Sequence, residues 1–253
     1  MAGHSHAANI AIRKGAQDRK RAKLFSKLAK EIIVAVKLGG PEESGNPRLR
    51  LALRKAKAQS LPKDTVERAI KKGSGEGDGE NYAEIAMEGY GPGGVAVYCE
   101  VLTDNRNRAA SEIRYAFTRG GGNLGTSGCV GYMFARKGII VCRGDEDAVM
   151  LAALEAGAED VSAEGSNEDG ENIFEVVCEA SETEAVTTAL AEAGVTVDSD
   201  TVLFVPDTRV NVGGDDAASL LKMLDLLDDC DDVQQVHHNA NIDAAALEAF
   251  ANS

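Results

Sequence analysis

The residues best placed to do chemistry in this 253-residue chain are a row of cations. On a helical wheel over residues 16–38, Arg19, Lys20, Lys23, Lys27, Lys30 and Lys37 fall within about 100° of one another. Like charges at i, i+3 and i, i+4 repel, and the neighbouring sequence offers few acids; Glu31 lies outside the arc. Two readings stand: a solvated lysine face of the kind exposed helices carry, or a face that a polyanion neutralises. The charge distribution favours the second. Residues 1–72 hold 18 basic and 6 acidic side chains, a net of +12, whereas residues 73–253 hold 9 basic and 35 acidic, a net of −26. A basic head on an acidic body points to an anionic partner for the head, nucleic acid foremost. The body would repel polyanions and confine them to the head, or meet a basic protein surface.

Other residue sets give no catalytic pattern. Gly89-Tyr90-Gly91-Pro92-Gly93-Gly94 matches G-x-G-x-x-G, but a strand-like run, Val95 to Cys99, follows it where a dinucleotide site needs a helix, so it reads as a turn. The histidines pair as His4 with His6 and His237 with His238, without ligand spacing for a metal. The carboxylates of Asp228-Asp229-Cys230-Asp231-Asp232 are expected to form a solvated surface. No Walker loop, nucleophile elbow or Cys/His signature occurs, so the chain reads as a non-enzyme with no cofactor and no metal. Asp104-Asn105-Arg106-Asn107-Arg108 reads as a helix cap, with a rival reading in which Arg106 and Arg108 make a second nucleic-acid contact. Seven of the body's nine basic residues lie between Arg106 and Arg143.

The cations need elements to hold them. Leu24, Phe25, Leu28, Ala29, Ile32 and Val36 form an apolar arc opposite the lysines, predicting a helix over 16–38 that ends at Gly39-Gly40-Pro41. Asn46-Pro47 predicts a second helix start, running to about Gln59, and Ser60-Leu61-Pro62 restarts the chain for a third that ends at Lys71-Lys72-Gly73. Residues 1–72 are therefore a small basic bundle, and the Gly, Glu and Asp run of 73–81 reads as a flexible linker that separates head from body. Beyond it, strands at 85–88, 95–102, 131–134, 138–142, 173–179, 201–204, 210–212 and 233–237 alternate with helices at 108–118, 146–156, 182–193 and 216–230. That pattern predicts an α+β protein: an N-terminal three-helix bundle plus two ferredoxin-like α/β sandwich domains. No signal peptide or membrane span is apparent, and five widely spaced cysteines suit a reducing compartment, so a soluble cytoplasmic protein is expected.

Several motifs carry a resemblance. Gly3-His4-Ser5 with Asn9, Leu38-Gly39-Gly40, Asn46 to Arg50, Glu88 to Gly94, Asp104 to Arg108, Gly121 to Gly125 and Asp229 to Gln234 occur in order along almost the whole chain. In these the chain resembles the YebC family of bacterial regulators, which includes mitochondrial translational activators of cytochrome oxidase. Where that family usually has Lys-Trp, this chain has His6-Ala7. The resemblance implies that the second domain is discontinuous, residues 82–132 plus 205–242, with residues 133–204 inserted and 243–253 as a tail. It implies regulation of gene expression: a DNA-binding transcriptional regulator or, alternatively, a ribosomal-RNA-binding factor that assists synthesis of proline-rich stretches. In the N-terminal arm, Ser5 and Asn9 are candidates for hydrogen bonds to the nucleic acid and Arg13 and Lys14 for phosphate contacts. A lysine-rich stripe without a polar recognition helix suits phosphate or shape recognition better than base readout.

Overall fold

The computed structural model describes residues 17–75, 82–167 and 170–251, without the side chains of 17–20 and 251. Ser5, Asn9, Arg13 and Lys14, and most of the expected linker, lie outside the described residues. Helices α1 (Gln17–Gly39), α2 (Pro47–Ala58) and α3 (Lys63–Gly73) form the head around Leu28, Ile32, Val36, Leu49, Ala52 and Ala69. The expected apolar arc is buried at Leu28, Ile32 and Val36, while Leu24 remains 36% exposed. Ile33, Val34 and Ala35 are buried as well, so the C-terminal half of α1 is enclosed beyond its amphipathic stripe.

Asn46 organises the first turn of the head. Its Oδ1 accepts from Leu49 N at 3.0 Å, capping α2, while its Nδ2 donates to the carbonyls of Ala35 (2.7 Å) and Gly40 (2.8 Å). One side chain, 3% exposed, thus ends one helix and begins the next. Gly39 must be glycine here, because a Cβ would stand 2.6 Å from Asn46 Nδ2.

The body contains two four-stranded antiparallel sheets. Strands β1 (Ala83–Tyr90), β2 (Ala96–Thr103), β3 (Asn123–Leu124) and β9 (Val233–His238) form the first, in the order β3-β1-β2-β9. Helices α4 (Arg106–Arg119) and α7 (Gly214–Asp228) supply the core that packs on it: Ile113, Phe117, Leu220, Met223 and Leu227 meet Val97, Cys99 and Val101. The second sheet uses β4 (Phe134–Arg143), β5 (Ala158–Ser166), β6 (Asn172–Glu179) and β7 (Thr196–Pro206) in the order β5-β6-β4-β7, with α5 (Glu146–Glu155) and α6 (Thr183–Glu192) between strands. This is the β-α-β-β-α-β order of a ferredoxin-like unit, and it sits within the chain of the first sheet. A short parallel pair, β8 (Val210–Val212) with β10 (Ala240–Ile242), and a last helix α8 (Ala244–Ala251) complete the described residues. No helix among them is long and apolar enough to cross a membrane.

The strands expected at 131–134 and 138–142 are one strand preceded by a 3-10 turn at Gly131–Met133. Gly138 does not break it; a Cβ there would collide with Thr183 Oγ1, so glycine lets α6 lie close to the sheet. The Gly89–Gly94 motif forms the β1-to-β2 turn, with Gly93 and Gly94 at φ of 71° and 75°.

Asn46→Ala removes the cap and both donors, and is expected to destabilise the fold by about 1–3 kcal/mol. Asn46→Asp, which keeps the cap oxygen, should lose less. Chemical denaturation with an unchanged m-value checks both.

Candidate nucleic-acid interface

Helical periodicity places Lys23, Lys27 and Lys30 on one side of α1, as expected, and all three ammonium groups are occupied. Lys23 Nζ donates to the Asp229 carbonyl at 2.9 Å and pairs with its carboxylate at 3.0 Å. Lys27 Nζ donates to the Asp228 carbonyl at 2.8 Å. Lys30 Nζ reaches the Asp231 carbonyl at 2.9 Å and Asp232 Oδ1 at 3.0 Å. Their common target is the turn that ends α7. The last carbonyls of a helix lack intrahelical partners and carry its negative dipole end, so lysines cap it favourably. Burial pushes the Lys27 ammonium below the ordinary lysine value, against the pull of Asp228 and Asp231.

Asp232 is the node of this contact. It is 1% exposed, and its carboxylate accepts from Lys30, from Thr103 Oγ1 at 3.0 Å and from Arg108, whose Nη2 lies 2.8 Å from Oδ2. Burial works to raise its pKa; the hydrogen bonds from Arg108, Lys30 and Thr103 outweigh that and hold it below the usual aspartate value. Three expectations change here. Acids do relieve the lysine stripe, but they come from about 200 positions away in the chain. The acidic run is not simply a solvated surface, since Asp232 is buried. Head and body are docked rather than set apart. Further pairs span them: Arg48 with Glu84, Arg54 with Asp200 at 3.0 Å and Arg50 with Glu184 at 3.5 Å.

Arg19 and Lys20 belong to the backbone of α1, with side chains outside the described residues. Arg21 lies over the Phe25 ring, 5.3 Å from its centroid, and Lys57 and Lys71 are exposed without an ion pair among the described residues.

At the second predicted contact, Asn105 caps α4 by accepting from Arg108 N at 3.1 Å, which is the structural reading of this stretch. Arg108 is engaged by Asp104 and Asp232, while Arg106 is exposed. The sequence reading missed the loop after α4. Glu88, buried on β1, accepts from the backbone N–H groups of Gly128 (2.8 Å), Val130 (2.9 Å) and Gly131 (2.7 Å), fixing the loop against the sheet. Burial raises the Glu88 pKa, and these three bonds more than reverse the rise. The only sequence signal was an acid in an apolar run beside a glycine-rich segment.

Residues 5–76 match the model of the TACO1/YebC protein N-terminal domain, and residues 82–240 match that of the TACO1/YebC second and third domain. A probable transcriptional regulatory protein from Desulforapulum autotrophicum is 46% identical over 99% of this chain and 100% of its own length. Another protein of that name, from Syntrophotalea carbinolica, is 51% identical over 96% of both chains. The crystal structure of a conserved hypothetical protein from Aquifex aeolicus superposes with a TM-score of 0.81 at 44% identity, covering 94% of this chain and 98% of that one. With both of its domain models matched in sequence order, and relatives alike over their full length, the chain belongs to the TACO1/YebC family.

Proposed function

We propose that the protein is a non-enzymatic, DNA-binding transcriptional regulator whose basic head grips phosphates. The observation that carries this reading is the row of oxygens already held by Lys23, Lys27 and Lys30. Carbonyls and carboxylates of the Asp228–Asp232 turn stand where phosphate oxygens would, so the turn is an internal stand-in for a polyanion. The +12 charge of the head and the names of the relatives support the same reading.

In this proposal Arg13, Lys14, Arg19 and Lys20 meet phosphates first, with Ser5 and Asn9 adding polar contacts. Duplex DNA then competes with the acidic turn for Lys23, Lys27 and Lys30. Arg106 adds a contact from the body, and Arg108 orients Asp232. The acidic remainder disfavours duplex binding elsewhere on the body.

Replacing Lys20, Lys23, Lys27 and Lys30 with Gln should weaken duplex binding for all sequences alike. It should also reduce the magnitude of the salt slope by roughly one unit per lost contact. An unchanged slope would reject the stripe as the binding face. Conversely, Asp228→Asn, Asp229→Asn and Asp231→Asn together should raise duplex affinity severalfold at about 50 mM salt. Neutralising Glu146, Asp147 and Glu155 on α5 should not; equal gains would mean that net charge alone is responsible. In cell extract, crosslinking should recover promoter DNA, and cosedimentation with ribosomes in the absence of DNA crosslinks would overturn the transcriptional assignment.

A further inference from the structure

The outer face of α4 has no role in the docking just described beyond Arg108. The body holds 35 acids and 9 bases; among the described residues three of the bases form ion pairs, and Arg106, Arg114, Arg119, Arg136, Arg209 and Lys222 do not. Lys137 is held by Glu159 and Glu179, Arg143 by Asp198 and Glu171, and Arg108 by Asp104 and Asp232. Arg106, Arg114 and Arg119 on α4 are exposed and make no ion pair or hydrogen bond among the described residues. Between the last two stands Tyr115, 62% exposed. Arg119 follows Tyr115 by one helical turn, so the ring and the guanidinium share a face. Glu112 is the one acidic residue within the helix.

Beyond Arg119 the chain turns back against the body. Gly120 and Gly122 are pressed against Met223 and the Tyr90 carbonyl, where a Cβ would not fit. The backbone therefore turns tightly against Met223 of α7. Asn123, paired with Tyr90, leads into exposed Thr126 and Ser127, and Tyr132 farther along is 75% exposed. Tyr90 itself donates to the Cys129 carbonyl at 3.2 Å. An open aromatic ring with an unpaired arginine one helical turn away suits unstacked bases strung on a phosphate backbone. A duplex keeps its base faces covered and cannot use them.

We propose that the outer face of α4, centred on Tyr115 with Arg114 and Arg119, binds single-stranded nucleic acid by base stacking on the ring and phosphate contact with the arginines. The proposal extends the nucleic-acid reading above but uses different residues and a different state of the ligand.

The test is fluorescence anisotropy of the full-length protein with labelled oligothymidylate, oligouridylate and duplex DNA, each of about 20 nucleotides or base pairs. Tyr115→Ala should weaken single-strand binding by about tenfold and leave duplex binding within about twofold. Tyr115→Phe should retain affinity, since it keeps the ring face. Arg114→Ala with Arg119→Ala should lower the salt slope for single strands. Because Tyr115 is exposed, these variants should fold normally, which thermal melts check. Preference between the deoxy and ribo strands identifies the ligand, and Tyr115 dependence with either supports the proposal. Single-strand affinity unaffected by Tyr115→Ala, or no single-strand binding at all, would overturn it. If the lysine-to-glutamine set abolishes duplex binding while Tyr115→Ala changes nothing, only this proposal falls. If single strands bind through Tyr115 and duplex does not bind, only the duplex reading falls.

Discussion

The arrangement of head and body depends on one buried carboxylate. Asp232 holds a head lysine, a body arginine and a strand hydroxyl at once, and its main-chain carbonyl accepts from Leu102 N at 2.8 Å. A charge so enclosed is tolerable only when its oxygens are satisfied, and taking away a partner of a buried ion pair typically costs about 3–5 kcal/mol. Position 232 thereby couples three things: the docking of α1, the orientation of Arg108 at the start of α4, and the edge of the first sheet. Upstream, Lys23 is less enclosed, with 37% of its side chain exposed, so its pair with Asp229 is weaker and more sensitive to salt.

Strand β2 is the second constraint. Its Val97, Cys99 and Val101 face α4 and α7, while Ala96 and Tyr98 face the inserted unit, where the Tyr98 and Phe204 rings lie 4.7 Å apart. β2 is buried on both faces over most of its length, with Glu100 its one partly exposed charge, which is why its sequence reads as a nearly continuous apolar run. The two sheets are therefore joined through side chains of β2, β4 and β7, and the inserted unit is held against its host by an apolar contact.

Most of the head was legible because its signals are local. Asn46-Pro47, Gly39-Gly40 and the apolar arc of α1 act within a few residues, and the helices begin and end close to the places they mark. The same holds for the Asn105 cap and for the apolar strands. Strand β5, by contrast, offers Val161 as its single large apolar residue and is an edge strand paired only with β6, so alternation could not reveal it. Helix α8 is a short alanine-rich segment whose one start signal is Asp243, which accepts from Ala245 N at 3.2 Å, and no glycine or proline marks its end. The acidic turn was visible as a run of aspartates, but its partnership with the lysines was not. Charge says that two segments attract; it does not say which oxygen meets which ammonium across 200 residues. The backbone carbonyls that accept from Lys23, Lys27 and Lys30 leave no trace in side-chain identity.

The insertion has a consequence for synthesis. Strands β4 to β7 are consecutive in sequence and can pair as soon as they leave the ribosome, whereas β9, the partner of β2, arrives more than 130 positions after it. The host sheet stays open on that side until the chain is almost finished. The Asp228–Asp232 turn arrives at nearly the same moment, so throughout elongation the lysines of α1 remain bare, and a nascent chain is a more cationic object than the protein it becomes.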